Sequence, residues 1–309
     1  MFIAALVWNV RPMAAGEQTV RVMLDTETKE VRVNEGFWIK ITIQNRSKDQ
    51  IWVPRFKPWE THRVFYQIRR KREVDFNDWF PPHHKGVNLP VAMDDVPPGG
   101  RYGIYAFIFT GRNYDESDLS KPKIIFEEPG QYELRVGVNP WWKGEPFIIS
   151  NVVNIRVKEA DPEGARIVAE RREDIYDHIF GVVAENSDLV VEFSENVQAL
   201  LSKLPEGRLK QALLRRLAVY DVLEGRDEHD RKQALKRFEN LRKRSSRLAA
   251  ELMNLDLAKH YTTFRWKGAL DVKLEEIESL VKDIKEPSER KRMIDAYIKV
   301  EKQKVKGAK

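Results

Sequence analysis

The stretch Gly36 to Ser47, GFWIKITIQNRS, constrains the fold of this chain more than any other. Ile39, Ile41 and Ile43 alternate with Lys40, Thr42 and Gln44, and the run closes on the turn formers Asn45, Arg46 and Ser47. Successive side chains leave a strand on opposite faces, so this two-residue period predicts a half-buried strand with its isoleucines on a core. The reading is the central strand of an N-terminal β-sandwich. A strand so regular reads as scaffold, with no residue left over for a site.

Short extended runs surround it: Val20, Val22 and Leu24; Val31 and Val33; Ile51 to Val53; Val64 to Ile68. Pro97-Pro98-Gly99-Gly100 precedes Tyr102 to Phe109, Pro129-Gly130 precedes Leu134, Val136 and Val138, and Val153, Ile155 and Val157 close the series. Seven or eight short strands with no helical segment between them predict a sandwich of two antiparallel sheets. The period changes at Ala160-Asp161-Pro162-Glu163, where Asp161 can cap a helix that has Pro162 at its first position.

The chain therefore divides into an N-terminal arm (1–16), a β-sandwich (17–159) and an all-α part (160–309). Its 309 residues suffice for two domains that each bury a core. Ile167, Val168, Ile175, Tyr176, Ile179 and Phe180 predict one amphipathic helix or a broken pair, and Leu189 to Leu204 the next. A shift of 39 residues then superposes Leu209 on Leu248, Leu213 on Leu252, Ala218 on Leu257, Leu235 on Leu274, Phe238 on Ile277 and Leu241 on Leu280. That internal repeat predicts stacked helical hairpins, with Glu228-His229-Asp230 in a polar turn. Pro287 is expected to start a closing helix carrying Met293, Ile294, Tyr297 and Ile298.

Two resemblances accompany these patterns. The segments EGFWIKITIQNRSKDQIWV, PPGGRYGIYAFIF, EPGQYELRVGV and NVVNIRV resemble the bacterial immunoglobulin-like sandwiches, including the fibronectin-III-like and intracellular-proteinase-inhibitor-like groups. This covers roughly Thr19 to Lys158 and implies architecture rather than activity. It makes Tyr132 a candidate for the tyrosine corner of such folds. Ala234 to Phe238 has the A-x3-F spacing of a tetratricopeptide unit, so residues 165–305 resemble a short tetratricopeptide-like array, although the repeat is longer than that family's and its first-helix signature is missing.

The absence of cysteine removes disulfides, thiolate metal sites and cysteine nucleophiles together. A net charge of +6 is small against 54 basic and 48 acidic residues, so the bias toward anionic partners is weak. No apolar run approaches the roughly 18 residues of a membrane span, and no integral membrane segment is expected. Phe2 to Trp8 is apolar and is followed by Ala14, Ala15 and Gly16, which reads as the latter part of a secretory signal or as an apolar arm on the sandwich. An exported or cell-envelope protein follows from the first reading, a cytoplasmic one from the second.

Candidate binding residues lie in two irregular stretches. Asp78 to His84 offers Trp79, His83 and His84, but adjacent histidines on an extended chain point apart, so a Pro-stiffened loop is preferred to a metal site. Asn139 to Gly144 offers Trp141 and Trp142, either as a stacking platform for a glycan or protein partner or as cover for the sandwich end. Trp52 and Trp59 share that ambiguity. Arg69 to Arg72 reads as a hairpin tip and Arg242 to Arg244 as a helix end, so no nucleic-acid partner is expected. His178, His229 and His260 are far apart and no catalytic motif appears, so no enzyme activity and no cofactor are expected. The resulting expectation is a non-enzymatic scaffold that binds a protein or peptide, with carbohydrate binding and protease inhibition as alternatives.

Overall fold

Among the residues described by the computed structural model, which are 19–54, 64–80, 93–113, 123–139, 147–180, 187–224, 228–266, 274–282, 290, 294–295 and 297–298, thirteen strands precede seven helices. The strands are β1 (Val20–Thr26), β2 (Glu30–Arg32), β3 (Phe37–Asn45), β4 (Ile51–Pro54), β5 (Val64–Arg70), β6 (Asn77–Phe80) and β7 (Met93–Val96), followed by β8 (Arg101–Ile108), β9 (Thr110–Asn113), β10 (Lys123–Ile124), β11 (Gly130–Val138), β12 (Ile148–Ile149) and β13 (Val153–Lys158). The helices are α1 (Pro162–Glu170), α2 (Arg172–Phe180), α3 (Ser187–Leu201), α4 (Arg208–Glu224), α5 (Glu228–Arg244), α6 (Arg247–Trp266) and α7 (Leu274–Val281). The chain is thus a β-rich part followed by a helical part.

β3 is the central strand of a three-stranded sheet in the order β1-β3-β8, with Ile41 opposite both Leu24 and Ile104. A second sheet runs β10-β9-β6-β5-β11-β13-β2, with β12 added beside β11. The chain passes from the first sheet to the second at Phe109, between β8 and β9. The isoleucines of β3, wholly buried, share one core with Tyr66, Leu134, Val136 and Ile155 of the second sheet. At about 1.5–3 kcal/mol for each fully buried aliphatic side chain, this inner face is the main reason the two sheets stay together.

The eight strands anticipated from the pattern are present. Five more, β6, β7, β9, β10 and β12, have two to four residues each, too few to display a period. Strands β4 and β7 form a separate two-stranded ribbon. The expectation of purely antiparallel sheets is also corrected, because β2 runs parallel to β13.

Two side chains complete backbone bonding that the strands leave open. Asn151 accepts from the Leu24 amide at 2.8 Å and donates to the Leu24 carbonyl at 3.1 Å, closing part of the free edge of β1. The Tyr132 hydroxyl donates to the Glu128 carbonyl at 2.9 Å and accepts from Arg70 Nε at 3.2 Å. At the start of β3, a Cβ on Gly36 would lie 2.5 Å from the Phe107 ring and 2.8 Å from the Ile108 carbonyl, so only glycine permits that approach.

Asp161 caps α1 by accepting from the Gly164 amide at 2.8 Å, with Pro162 at the first position as the spacing predicts. The first amphipathic segment is broken in two at Arg171. Glu228-His229-Asp230 forms the first turn of α5 rather than a linking turn, and Pro287 and Met293 lie outside the described residues. Tyr220, Phe238, Leu257, Ile277 and Tyr297 form one helical core.

A second core crosses the strand–helix boundary: Phe107, Phe109 and Ile124 pack with Val168, Ile175 and Leu213. The first helices therefore finish their apolar surface on the sheet, where a separate core for each part was anticipated. Unfolding in urea should consequently give coincident transitions by far-UV circular dichroism, dominated by helix, and by tryptophan fluorescence. Two separated midpoints would show that the parts unfold independently.

Candidate functional site

The face of β3 opposite its isoleucines decides how the two parts meet. Lys40 and Thr42 are only 6% and 7% exposed, so β3 is buried on both faces and is not the half-buried strand its alternation predicts. What covers it is α6. Lys40 Nζ lies 2.7 Å from Glu251 Oε1, and Tyr105, directly across from Lys40 on β8, donates its hydroxyl to the same oxygen at 2.9 Å. The Lys40 ammonium also sits 5.1 Å from the Tyr105 ring centroid. Beside this cluster, Trp38 and Phe107 meet edge-on at 5.1 Å and carry the seam into the shared apolar core.

Two further acids of the strand part are committed to α4. Glu27, in the turn after β1, accepts from Arg215 Nη1 at 2.6 Å and from the Trp38 amide at 3.2 Å, with 3% of its side chain exposed. Glu35 accepts from the Arg32 amide at 3.0 Å with one oxygen and from the Arg208 amide at 2.9 Å with the other. Arg208 is the first residue of α4, whose leading amides have no partner within the helix, so Glu35 caps that helix from the opposite side of the seam. Arg208 answers by donating to Thr28 Oγ1 at 2.9 Å and the Glu30 carbonyl at 3.2 Å. Farther out, Arg247 at the start of α6 pairs with Asp25 at 2.8 Å, both largely exposed.

Chemically this is a closed arrangement. Glu251 Oε1 is engaged by a cation and a hydroxyl at once, which suits holding α6 in place on the sheet. A void of about 20 Å³ between Trp38, Arg215, Arg216 and Met253 has room for about one water. Among the described residues, no group of three or more His, Asp or Glu is placed to hold a metal ion. His178 and His229 lie on different helices and each bonds within its own, to the Asp174 carbonyl and to Gln233.

Of the residues singled out in the sequence, Trp79 lies in β6, half-buried against the core of the strand part and across from Tyr66, so Asp78 to Phe80 is strand rather than loop. His83, His84, Trp141, Trp142 and Trp59 lie outside the described residues. Trp52, on β4, is 56% exposed. Arg69 and Arg70 are the last residues of β5 rather than part of the hairpin tip, which begins at Lys71; Arg69 pairs with Glu133 of β11 at 2.6 Å and Arg70 with Glu128. Lys40, Glu251, Glu27 and Arg215 were not singled out. The available signal was the aromatic content of the outward face: Trp38, Tyr105 and Phe107 occupy positions that bare solvent rarely faces.

No family model matches this chain, and no curated protein matches it. Partial similarity exists to a β-glucosidase from Erythrobacter marinus (13% identity over 45% of this chain and 15% of that one, TM-score 0.25). A β-glucosidase from Listeria innocua in complex with glucose is similar at 14% identity over 45% of this chain and 16% of that one, TM-score 0.24. The CARDB domain of a Pyrococcus furiosus protein, in complex with di-metal ions, is similar at 9% identity over 46% of this chain and 94% of the domain, TM-score 0.23. The chain spans about a sixth of the glucosidases' length, and at these scores no argument rests on any of the three.

Removing one partner of a buried pair leaves the other charge uncompensated. Lys40→Met and Glu251→Gln should each lower stability by about 3–5 kcal/mol, while Lys40→Met with Glu251→Leu together should cost less than the sum of the single losses. Additive losses in urea unfolding would show that the two residues do not act as a pair.

Asp221 on α4 gives a pH-dependent expectation. Burial raises its carboxyl above the ordinary value, with Arg237, 3.9 Å away, opposing the shift. Because the folded pKa is raised, the contribution to stability is full below the unfolded pKa and is lost as pH rises through the folded one. Asp221→Asn should therefore raise the urea midpoint near neutral pH, with the gain disappearing on acidification below the ordinary carboxylate range. A gain that persists in acid would rule out ionisation as its cause.

Proposed function

We infer that the chain is a non-enzymatic binding protein of the cell envelope or exterior, with an immunoglobulin-like sandwich and a helical hairpin stack held as one rigid body. The sandwich assignment is supported by two sheets around one core and by the Tyr132–Glu128 bond, which has the form of a tyrosine corner. The hairpin stack is supported by the starts of α4 and α6, at Arg208 and Arg247, and by matched burial: Leu209 with Leu248 and Phe238 with Ile277, all buried. Leu235, Leu241, Leu274 and Leu280 all flank the same core. Export rests on the apolar N-terminal pattern, which lies outside the described residues; within them, no helix is long and apolar enough to cross a membrane.

The observation that carries an interaction role is Trp52. It is a large aromatic residue, 56% exposed, on a ribbon anchored by the fully buried Val53 and Val96. Exposed tryptophan on a rigid strand provides contact area at little cost in rotamer freedom. The chain leaves this ribbon at Pro54, reaches Val64 through the segment with Trp59, and Val64 pairs with Val138, just before the segment with Trp141 and Trp142. His83 and His84 fall in the segment that returns to the ribbon at Met93. A protein or peptide partner engaging this end needs no bond chemistry.

The test is binding of a partner isolated on the intact protein from an envelope fraction. Trp52→Ala, and separately Trp141→Ala with Trp142→Ala, should each weaken it roughly tenfold or more without changing the circular dichroism spectrum. A glycan-array signal lost only in the Trp141/Trp142 double variant would favour carbohydrate binding instead. Inhibition across a protease panel would favour the inhibitor reading. A partner indifferent to all three tryptophans would remove the proposal.

A further inference from the structure

One side of α5 is cationic from its second turn to its end. Ala234 and Phe238 are buried in the helical core and Leu235 and Leu241 pack against it, so the apolar side of the helix is committed. The opposite side presents Lys232, Lys236, Arg237, Lys243 and Arg244, all exposed, at the three- and four-residue spacing that gathers them on one crest about 18 Å long. Gln233 and Asn240 fill positions between them, and no acid stands among them on that side.

The basic run at the end of the helix divides. Arg242 turns aside to Glu239 at 2.8 Å, while Lys243 and Arg244 join the crest. Among the described residues no hydrogen bond or ion pair engages Lys236, Lys243 or Arg244, and Arg237, 60% exposed, reaches Asp221 only at 3.9 Å. The negative end of the helix dipole accounts for the last two cations alone, because its effect fades within one turn. Lys232, Lys236 and Arg237 lie beyond its reach.

The composition of the crest discriminates among anionic partners. Protein interfaces are depleted in lysine and draw their energy from apolar and aromatic anchors, and the crest has neither kind of anchor. Single-stranded nucleic acid binds on aromatic platforms, which are equally absent from it. A helix laid in a duplex groove meets phosphates along both flanks, and acids stand there: Glu239 on one side and Asp221 of α4, beside Arg237, on the other. A flat anionic surface touches the crest alone. Anionic lipid headgroups attract each such cation by about fivefold in affinity. With no apolar side chain on the crest, the attachment is electrostatic and reversible, unlike that of a helix that sinks an apolar face into the bilayer.

We propose that the outer side of α5 holds the protein against an anionic lipid surface, with Lys232, Lys236, Arg237, Lys243 and Arg244 on the headgroups. This rests on the envelope reading only for where the protein meets such a surface.

Co-sedimentation of the full chain with vesicles at low ionic strength tests it, using phosphatidylcholine alone and phosphatidylcholine mixed equally with phosphatidylglycerol. Binding is expected to the mixed vesicles only, and it should be lost as salt is raised. Lys236→Gln with Arg237→Gln, and separately Lys243→Gln with Arg244→Gln, should each weaken it at least tenfold. Lys71→Gln with Arg72→Gln, which removes an equal charge at the exposed β5–β6 turn, should change it less than twofold, and Lys236→Arg with Lys243→Arg should preserve it. No binding to the mixed vesicles, equal binding to both kinds, or equal losses in the turn variant overturns the proposal. Tighter binding of duplex DNA or polyglutamate at the same concentration of charge also overturns it, and identifies a nucleic-acid or acidic-protein partner instead. Cell fractionation is a separate readout: a chain that binds the mixed vesicles yet is absent from the envelope fraction removes the envelope reading and leaves the lipid-binding side of α5 standing. Circular dichroism and urea midpoints of each variant separate lost binding from lost folding.

Discussion

A lysine and a glutamate taken out of water together govern this structure. Desolvating Lys40 and Glu251 costs several kcal/mol per ion, and Coulomb attraction offsets that only when geometry and additional hydrogen bonds are favourable. Both conditions are met, because Tyr105 gives Glu251 a second donor and Lys40 an aromatic face. An apolar contact between α6 and the sheet would tolerate sliding by a residue. A pair closed at 2.7 Å and shared with Tyr105 does not, so the ions specify where the helix lies on β3.

The same dependence recurs at α4. Helix N-termini need acceptors for their leading amides, and the acceptor here is Glu35, from beyond the end of β2. The Glu27 side chain is buried almost completely and is held by Arg215 together with the backbone amide of Trp38 on β3. Each part thus satisfies polar groups of the other, and the core containing Phe107, Phe109 and Val168 adds apolar burial that neither completes alone. The strand–helix change near Asp161 is a boundary in secondary structure, while packing continues across it.

The legible features were those fixed by neighbours in sequence. The alternation of β3, the cap at Asp161 and the hairpin turn after Arg70 depend on a few consecutive residues, and each is found. The seam depends on residues more than 170 positions apart, such as Glu35 and Arg208 or Lys40 and Glu251, and no local period encodes such a meeting. Lys40 was misleading because a lysine at a polar position of an alternating strand normally faces water. The correction was available in its neighbours, since a sheet face that also presents Trp38, Tyr105 and Phe107 needs cover. Glu27 offered no such clue, being indistinguishable in sequence from any acid in an exposed turn.

Regularity and burial of both faces are therefore compatible in β3. Its inner face packs into the core shared by the two sheets and its outer face places Lys40 against α6, so one unbroken strand serves two packing surfaces. Lys40–Glu251 and Glu27–Arg215 hold the two parts together through side chains largely withdrawn from solvent, so the seam is specified by ion pairs as well as by apolar burial.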